Sequence, residues 1–318
     1  MKLHVLHLDD ALMRQCGFLQ HCLASSAHHL DARDEGGRVR LWGRQQDLGI
    51  LQARLRAQFA NDDRAPRLCF MGSGDFHHVS ALLVDAAAER LEKPFTVVHF
   101  DNHPDWVHYK GGLHCGSWVH RALQNSKVAK ILTIGVCSND LEHPDRKGAN
   151  LKPMAEGRLE VFPYIHAPSR VRRFYGSGAG FHQDGNMLRW VTIDADGEDA
   201  FLERMLSRIG TADVYITVDK DVLAREDAET NWDQGRLRLP WLLDAIRAIA
   251  QRHKIVGADV TGDYSRPAYA GTPWRRMLAH AEIMLDQPCR RTIDLCNSTA
   301  LNARSNLALL QVFRETMP

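Results

Sequence analysis

Short apolar runs recur along this chain, separated by longer stretches in which apolar residues return every three or four positions. The runs His4–Leu8, Arg67–Met71, Thr96–Phe100, Lys130–Val136, Leu159–Tyr164, Trp190–Ile193, Val214–Val218 and Lys254–Val260 predict strands. Several are apolar throughout, as strands covered on both faces are. Between them, Val79, Leu82, Leu83 and Ala86 share one helical face. So do Leu202, Met205, Leu206 and Ile209, and then Leu242, Ala245, Ile246 and Ile249. Strands alternating with helices predict a three-layer α/β/α architecture with a mostly parallel sheet of about eight strands.

Three polar stretches interrupt the alternation: Glu142–Arg158, Ala167–Met187 and Ala224–Arg238. The second holds Gly176-Ser177-Gly178-Ala179-Gly180, but no Lys-Ser/Thr follows as a phosphate-cradling loop requires, so it reads as a lid or surface loop. No repeat, heptad or long Pro/Ser linker divides the chain, which predicts one domain over residues 1–318.

Composition narrows the function class. With 44% hydrophobic and 25% charged residues and a net charge of +1, nothing calls for nucleic acid or an anionic membrane. No apolar run approaches the ~20 residues of a membrane-spanning helix, and the acidic start is unlike a signal peptide. The seven cysteines, Cys16, Cys22, Cys69, Cys115, Cys137, Cys289 and Cys296, are odd in number and show no CxxC spacing. That argues against a disulfide framework or a zinc ribbon and predicts a cytoplasmic protein.

The chemistry lies in clusters placed where strands end. Asp101-Asn102-His103-Pro104-Asp105 follows the Thr96–Phe100 run. In extended backbone, alternate residues point the same way, so Asp101, His103 and Asp105 converge at the carboxyl end of that strand, where open α/β sheets bind ligands. Asp219 and Asp221 repeat the device after Val214–Val218. Buried acids in such number need a cation. Two such strands side by side can hold two divalent ions about 3.5–4 Å apart. Oxygen-rich donors with some imidazole and no thiolate favour Mn²⁺, with Fe²⁺, Co²⁺ and Zn²⁺ as the other metals such a set accommodates. Gly72-Ser73-Gly74-Asp75-Phe76-His77-His78 turns from a strand into a helix, and one of His77 and His78 is a further candidate ligand. His114, in Gly111-Gly112-Leu113-His114-Cys115-Gly116, is a candidate proton shuttle.

These residues resemble the arginase–agmatinase superfamily of ureohydrolases, which carries in order a GGDH turn, a DAHxD motif, a Gly-flanked HG and an SxDxD motif. Here Gly74-Asp75-Phe76-His77-His78, Asp101-Asn102-His103-Pro104-Asp105, Leu113-His114-Cys115-Gly116 and Thr217-Val218-Asp219-Lys220-Asp221 stand in that order over about half of the chain. The resemblance implies an arginase-like fold and a dinuclear manganese centre. Asp101 and Asp219 would bridge both ions, His78 (or His77) and Asp105 would complete one site, and His103 and Asp221 the other. His114 would match the proton-shuttling histidine.

The departures fall on the substrate side. Val222-Leu223-Ala224 replaces the Asp-Pro that follows the last motif, and Val107 stands where free-arginine enzymes often carry a carboxylate-binding Asn. No Glu lies in Ala258–Asp263, where the guanidinium-binding acid of family arginases falls, leaving Asp259 and Asp263 as substitutes there. The opening Leu8-Asp9-Asp10-Ala11-Leu12 and the Gly74-Asp75-Phe76-His77-His78 turn resemble the peptide arginases, which convert arginine side chains within a peptide to ornithine. The expected reaction is attack on the guanidinium carbon by a hydroxide made available by two divalent ions, with His114 protonating the departing amine. Asp263, Asp10 and Asp9, in that order, are the candidate acids for holding the guanidinium. The competing readings are a small-molecule ureohydrolase of agmatinase type, a deacetylase-like amidohydrolase, and a non-catalytic binding or regulatory module that kept the fold.

Overall fold

The structure is a computed structural model and describes residues 1–60, 65–286 and 293–317. Cys289 lies outside them. Eight strands form one sheet: β1 (Lys2–His7), β2 (His28–Asp31), β3 (Arg67–Phe70), β4 (Phe95–Phe100), β5 (Val128–Val136), β6 (Leu159–Pro163), β7 (Asp213–Asp219) and β8 (Lys254–Thr261). They are ordered β2-β1-β3-β8-β7-β4-β5-β6, and every pairing is parallel. Helices α1 (Cys16–Ala24), α2 (Gln45–Phe59), α3 (Ser80–Ala88), α4 (Trp118–Ala122), α5 (Glu198–Arg208), α6 (Leu239–Arg252), α7 (Pro273–Asp286) and α8 (Leu295–Thr316) accompany it.

The period-2 alternation of strands splits the core in two. Leu68 and Phe70 of β3 pack with Phe18 of α1, while Leu242, Ile246 and Phe313 join the same core from α6 and α8. Cys69, which alternates with them, and Met71 beyond the strand end pack on the opposite face with Leu51 of α2, Leu83 of α3 and Val119 of α4. This is the three-layer arrangement that the alternating pattern predicts. Among the described residues, no helix is long and apolar enough to cross a membrane.

Two strand assignments differ from the expectation. Trp190–Ile193 does not enter the main sheet. Met187–Trp190 belongs to a separate three-stranded antiparallel sheet built from the polar stretch 167–187, and Ile193 begins a helical turn. Conversely, β2 is an edge strand of sequence His-His-Leu-Asp with no buried residue, so it carries no apolar signal.

One level of the sheet is polar. Asp259, Thr217, His99 and Thr133 are register neighbours on β8, β7, β4 and β5, and all four are fully buried. Thr217 donates to Asp259 at 2.7 Å, and His99 Nδ1 lies 3.1 Å from Thr133 Oγ1. Two residues further along the same strands stand Asp219 and Asp101, at the carboxyl ends.

Candidate metal and catalytic site

The acidic clusters meet over the ends of β4 and β7. Each closes a short turn on itself: the His103 N–H donates to Asp101 Oδ1 at 2.6 Å, and the Asp221 N–H to Asp219 Oδ1 at 3.1 Å. The Asn102 N–H donates across to Asp221 Oδ1 at 3.0 Å, which locks the two turns together. Asp105 takes a left-handed backbone conformation, φ 47°, and its Oδ2 accepts the Trp118 indole N–H at 2.7 Å. That conformation is uncommon outside glycine and aims the carboxylate back at the cluster. Gly74 is required by closeness: a Cβ there would sit 2.7 Å from Asp219 Oδ2.

His77, not His78, joins the cluster. Its Nδ1 lies 2.9 Å from Asp101 Oδ2, 3.2 Å from Asp105 Oδ2 and 3.4 Å from Asp219 Oδ2. It is buried and makes no hydrogen bond of ordinary geometry. The other nitrogen, Nε2, is 3.0 Å from Thr217 Oγ1. The Thr217 hydrogen is committed to Asp259, so the hydroxyl oxygen accepts and Nε2 carries the proton. Asp259 is itself held by Ser80 and Tyr215 at 2.8 and 2.7 Å. His78 is buried elsewhere, with neither ring nitrogen hydrogen-bonded, and burial pushes its pKa down to about 3. It packs as a neutral side chain, so of the two candidates left open by the sequence His78 is set aside.

His103 repeats the device. Its Nδ1 faces Asp221 Oδ2 at 3.0 Å and Asp101 Oδ1 at 3.5 Å, while Nε2 lies 2.8 Å from Asp233 Oδ1. Each histidine thus turns Nδ1 inward and ties Nε2 to an acceptor, the orientation by which outer partners hold metal-ligating imidazoles. Asp101 turns Oδ2 toward His77 and Oδ1 toward His103. Two donor groups share this carboxylate: His77, His99, Asp101 and Asp105, and then Asp101, His103 and Asp221. His99, whose Nε2 lies 2.8 Å from Asp101 Oδ2, supports that carboxylate from behind.

Electrostatics show what the cluster lacks when bare. Burial, then the charge of Asp101, pushes Asp105 and Asp219 up to about 6. Burial with the charges of Asp219 and Asp101 drives Asp221 well above its ordinary value. Burial favours neutral His77 and His103, yet the surrounding carboxylates outweigh it and hold both well above the usual range. So many buried carboxylates call for positive charge, and divalent ions would supply it while leaving the aspartates as carboxylates and the imidazoles as free bases. The His/Asp set therefore fits metal.

These donors line a cavity of about 540 Å³, together with Val107, Tyr109, His114, Lys147, Trp232, Asp233 and Glu282. The Gly116 N–H donates to His114 Nδ1 at 2.9 Å, so Nε2 carries the proton, and it is directed at Glu282 Oε1 of α7. Glu282, Asp233, His99 and Trp232 carry no assigned role in the sequence reading. His99 shows a faint signal, since it alternates with Asp101. Asp233 and Glu282 show none, because their partners lie more than a hundred residues away in the chain.

The acids expected to hold a guanidinium are placed elsewhere. Asp263 is buried against Lys220 at 2.7 Å and is bonded by Gln15 and Asn306. Lys220, between two candidate ligands, needs that counter-charge in the core. Asp10 is an exposed surface acid facing Arg33 and Arg14. Asp9 accepts from Ser265 at 2.6 Å and faces the buried Arg40, which also binds Asp75 at 2.6 Å. None of the three lines the cavity.

Known proteins resemble this chain in part of its sequence and in its fold. The sequence model of the arginase family matches residues 22–158. An uncharacterized protein from Thermotoga maritima is 26% identical over 194 residues, 61% of this chain and 57% of that protein, so the match spans little more than half of its length. Among solved structures, formimidoylglutamase from Bacillus subtilis aligns over 99% of this chain and 87% of its own at TM-score 0.59 and 14% identity. Arginase from Bacillus caldovelox aligns over 96% and 98% at TM-score 0.56 and 13% identity. A hypothetical agmatinase from Burkholderia thailandensis aligns over 98% and 85% at TM-score 0.54 and 18% identity. The family model covers less than half of this chain, and the solved structures share its architecture, so the chain carries an arginase-like α/β fold.

Proposed function

We propose that this chain is a member of the arginase superfamily and a dinuclear manganese-dependent hydrolase of guanidino C–N bonds that converts arginine side chains in a peptide to ornithine, releasing urea. The observation that carries the reading is the pair of inward Nδ1 atoms on His77 and His103 flanking the two oxygens of Asp101, beside a His114–Glu282 pair in one cavity. Asp101, Asp105, Asp219, Asp221, His77 and His103 would hold the metals. When bound, two divalent cations supply the Lewis acidity that lets water act as a nucleophile near neutral pH.

The chain's own residues do the rest. Glu282, reached by the cavity, accepts N–H bonds from the guanidinium and so takes the role first sought in Asp263, Asp10 and Asp9. The His114–Glu282 pair moves the proton: Glu282, held by the His114 Nε2–H, takes the proton that the attacking water gives up and delivers it to the ornithine nitrogen as that nitrogen's bond to the guanidino carbon breaks. Trp232, held by its indole N–H to Asp75 at 2.9 Å, walls the site beside His103. Among the described residues lining the cavity, Lys147 is the one Lys or Arg, and it is paired with Asp140 at 3.0 Å. Val107 is apolar. A free amino acid's carboxylate would therefore find no unengaged cation, whereas a peptidyl arginine has no such charge to satisfy.

Mass spectrometry of arginine-containing peptides incubated with Mn²⁺-loaded protein tests the reading. Conversion to ornithine removes about 42 Da per residue, the CN₂H₂ lost when water is taken up and urea leaves. A higher kcat/KM for peptidyl than for free arginine is expected. Free arginine or agmatine winning that comparison would return the chain to the small-molecule ureohydrolases.

A further inference from the structure

Helix α7 presents four large apolar residues outward. Trp274, Met277, Leu278 and Met284 are 65, 50, 43 and 65% exposed, while Arg275, Ala279 and Glu282 turn inward. Arg275 anchors that inner face, donating to the carbonyls of Arg38, Ala270 and Trp42. An ordinary amphipathic helix does the reverse. At roughly 100° per residue, Leu278 lies about 40° round the helix from Glu282, Trp274 about 80°, Met277 about 140° and Met284 about 160°, all on the same side. The opposite flank carries Arg276 and His280. The apolar arc thus begins beside the line that points Glu282 at His114 and sweeps away from the cavity mouth, where the half-exposed ring of Tyr109 stands 5.7 Å from the His114 ring.

We infer that this stripe is the docking surface for the substrate peptide, and that it selects arginines flanked by apolar residues. The inference rests on the peptidyl-arginine reading. The occupant is argued from continuity: the same helix supplies an acid lining the cavity and the apolar surface leading away from it. Length agrees as well. Trp274 to Met284 spans about 15 Å of helix, the reach of roughly four to five residues of extended peptide. Apolar side chains within that distance of the arginine would cover the stripe while the guanidinium meets Glu282. An exposed apolar patch next to a functional cavity is where a soluble protein takes its ligand.

The test compares Mn²⁺-loaded full-length protein on two peptides with one central arginine, one flanked by Leu and Phe and the other by Ser, alongside N-acetylarginine amide. The wild type should prefer the apolar-flanked peptide by roughly tenfold or more in kcat/KM, the scale of burying one large apolar side chain. Met277→Asp and, separately, Met284→Asp should shrink the ratio between the two peptides toward one. Equal turnover of both peptides by the wild type, or an equal loss on both in the variants, overturns the docking surface and leaves the peptidyl reading standing. Turnover of free arginine or agmatine with none of any peptide overturns the reading itself. Light scattering on the same samples supplies the remaining control: a wild-type oligomer that dissociates in both variants assigns the stripe to self-association and overturns the proposal.

Discussion

Thr217→Val removes one hydroxyl, and the structure says what should follow. That hydroxyl lies between His77 Nε2 at 3.0 Å and Asp259 Oδ1 at 2.7 Å. Valine has nearly the same shape, so packing survives, and Asp259 keeps Ser80 and Tyr215. The loss falls on His77, whose buried Nε2–H is left without an acceptor. An unsatisfied buried donor costs ~1–3 kcal/mol of stability. The ring also loses what fixes its tautomer and turns Nδ1 toward Asp101, Asp105 and Asp219. Removing such outer partners typically costs 10–100-fold in metal affinity or activity, roughly 1.4–2.7 kcal/mol. Mn²⁺ titration by calorimetry, with thermal melts of metal-free and loaded protein, measures both terms, and Thr217→Ser should restore them. A Thr217→Val protein that binds Mn²⁺ with wild-type affinity would refute the claim that His77 Nδ1 is a ligand oriented through Nε2.

Other consequences can be read from the same contacts. Asp101→Asn and Asp219→Asn should lose most bound metal and activity, and full occupancy by elemental analysis in the Asp219→Asn protein would contradict the assignment. His114→Ala should keep its metal yet lower kcat by roughly 10²–10⁴, and Glu282→Gln should lower kcat/KM on arginine peptides with metal retained; an unchanged value in either case demotes that residue to the cavity wall. At the β1–β2 edge, His7 Nε2 and His29 Nδ1 lie 3.0 Å apart in stacked rings, and burial lowers both pKa values, with His29 lowering His7 further. Both are held neutral, so their contribution to stability is present above about pH 6.5, the unfolded value, and is lost as pH falls through the depressed folded values. His29→Gln should therefore lose less Tm between pH 7.5 and 5 than the wild type, and an equal loss would show that the pair is not what titrates.

How far the sequence could be read depended on whether a signal was local. The apolar runs of β3, β4 and β7 and the acids just beyond them are contiguous in the chain, and strand geometry alone carries Asp101, His103, Asp219 and Asp221 to one edge of the sheet. The choice between His77 and His78 was not local. Both follow Gly74 in one tight helical turn, and what separates them is Thr217, on a strand 140 residues away, whose hydroxyl receives one ring and not the other. Asp263 is a substrate-acid candidate only by its place, where the resemblance puts the guanidinium-binding acid. The buried Lys220, between two candidate ligands, claims it instead.

The same distinction explains why the acid beside His114 was out of reach. A superfamily resemblance points to the end of β8, and this chain places no glutamate there. The polar level of the sheet shows the consequence: Asp259 is spent on Thr217, Tyr215 and Ser80, and Asp263 on Lys220, so neither can turn toward a ligand without stranding a buried partner. The carboxylate that does face His114 comes from α7, a helix after the last strand, and a glutamate on a helix is ordinarily a solvated surface residue. The anchoring of α7 through Arg275 to the carbonyls of Arg38, Arg40 and Trp42, with Ala279 packed against Leu41 and Cys115, brings Glu282 to the cavity. Arg275 and Glu282 take up the inner face beside Ala279 and Ile283, and Trp274, Met277, Leu278 and Met284 are left facing out. The displaced acid and the exposed stripe are thus two results of one change, the recruitment of this helix to the mouth of the site.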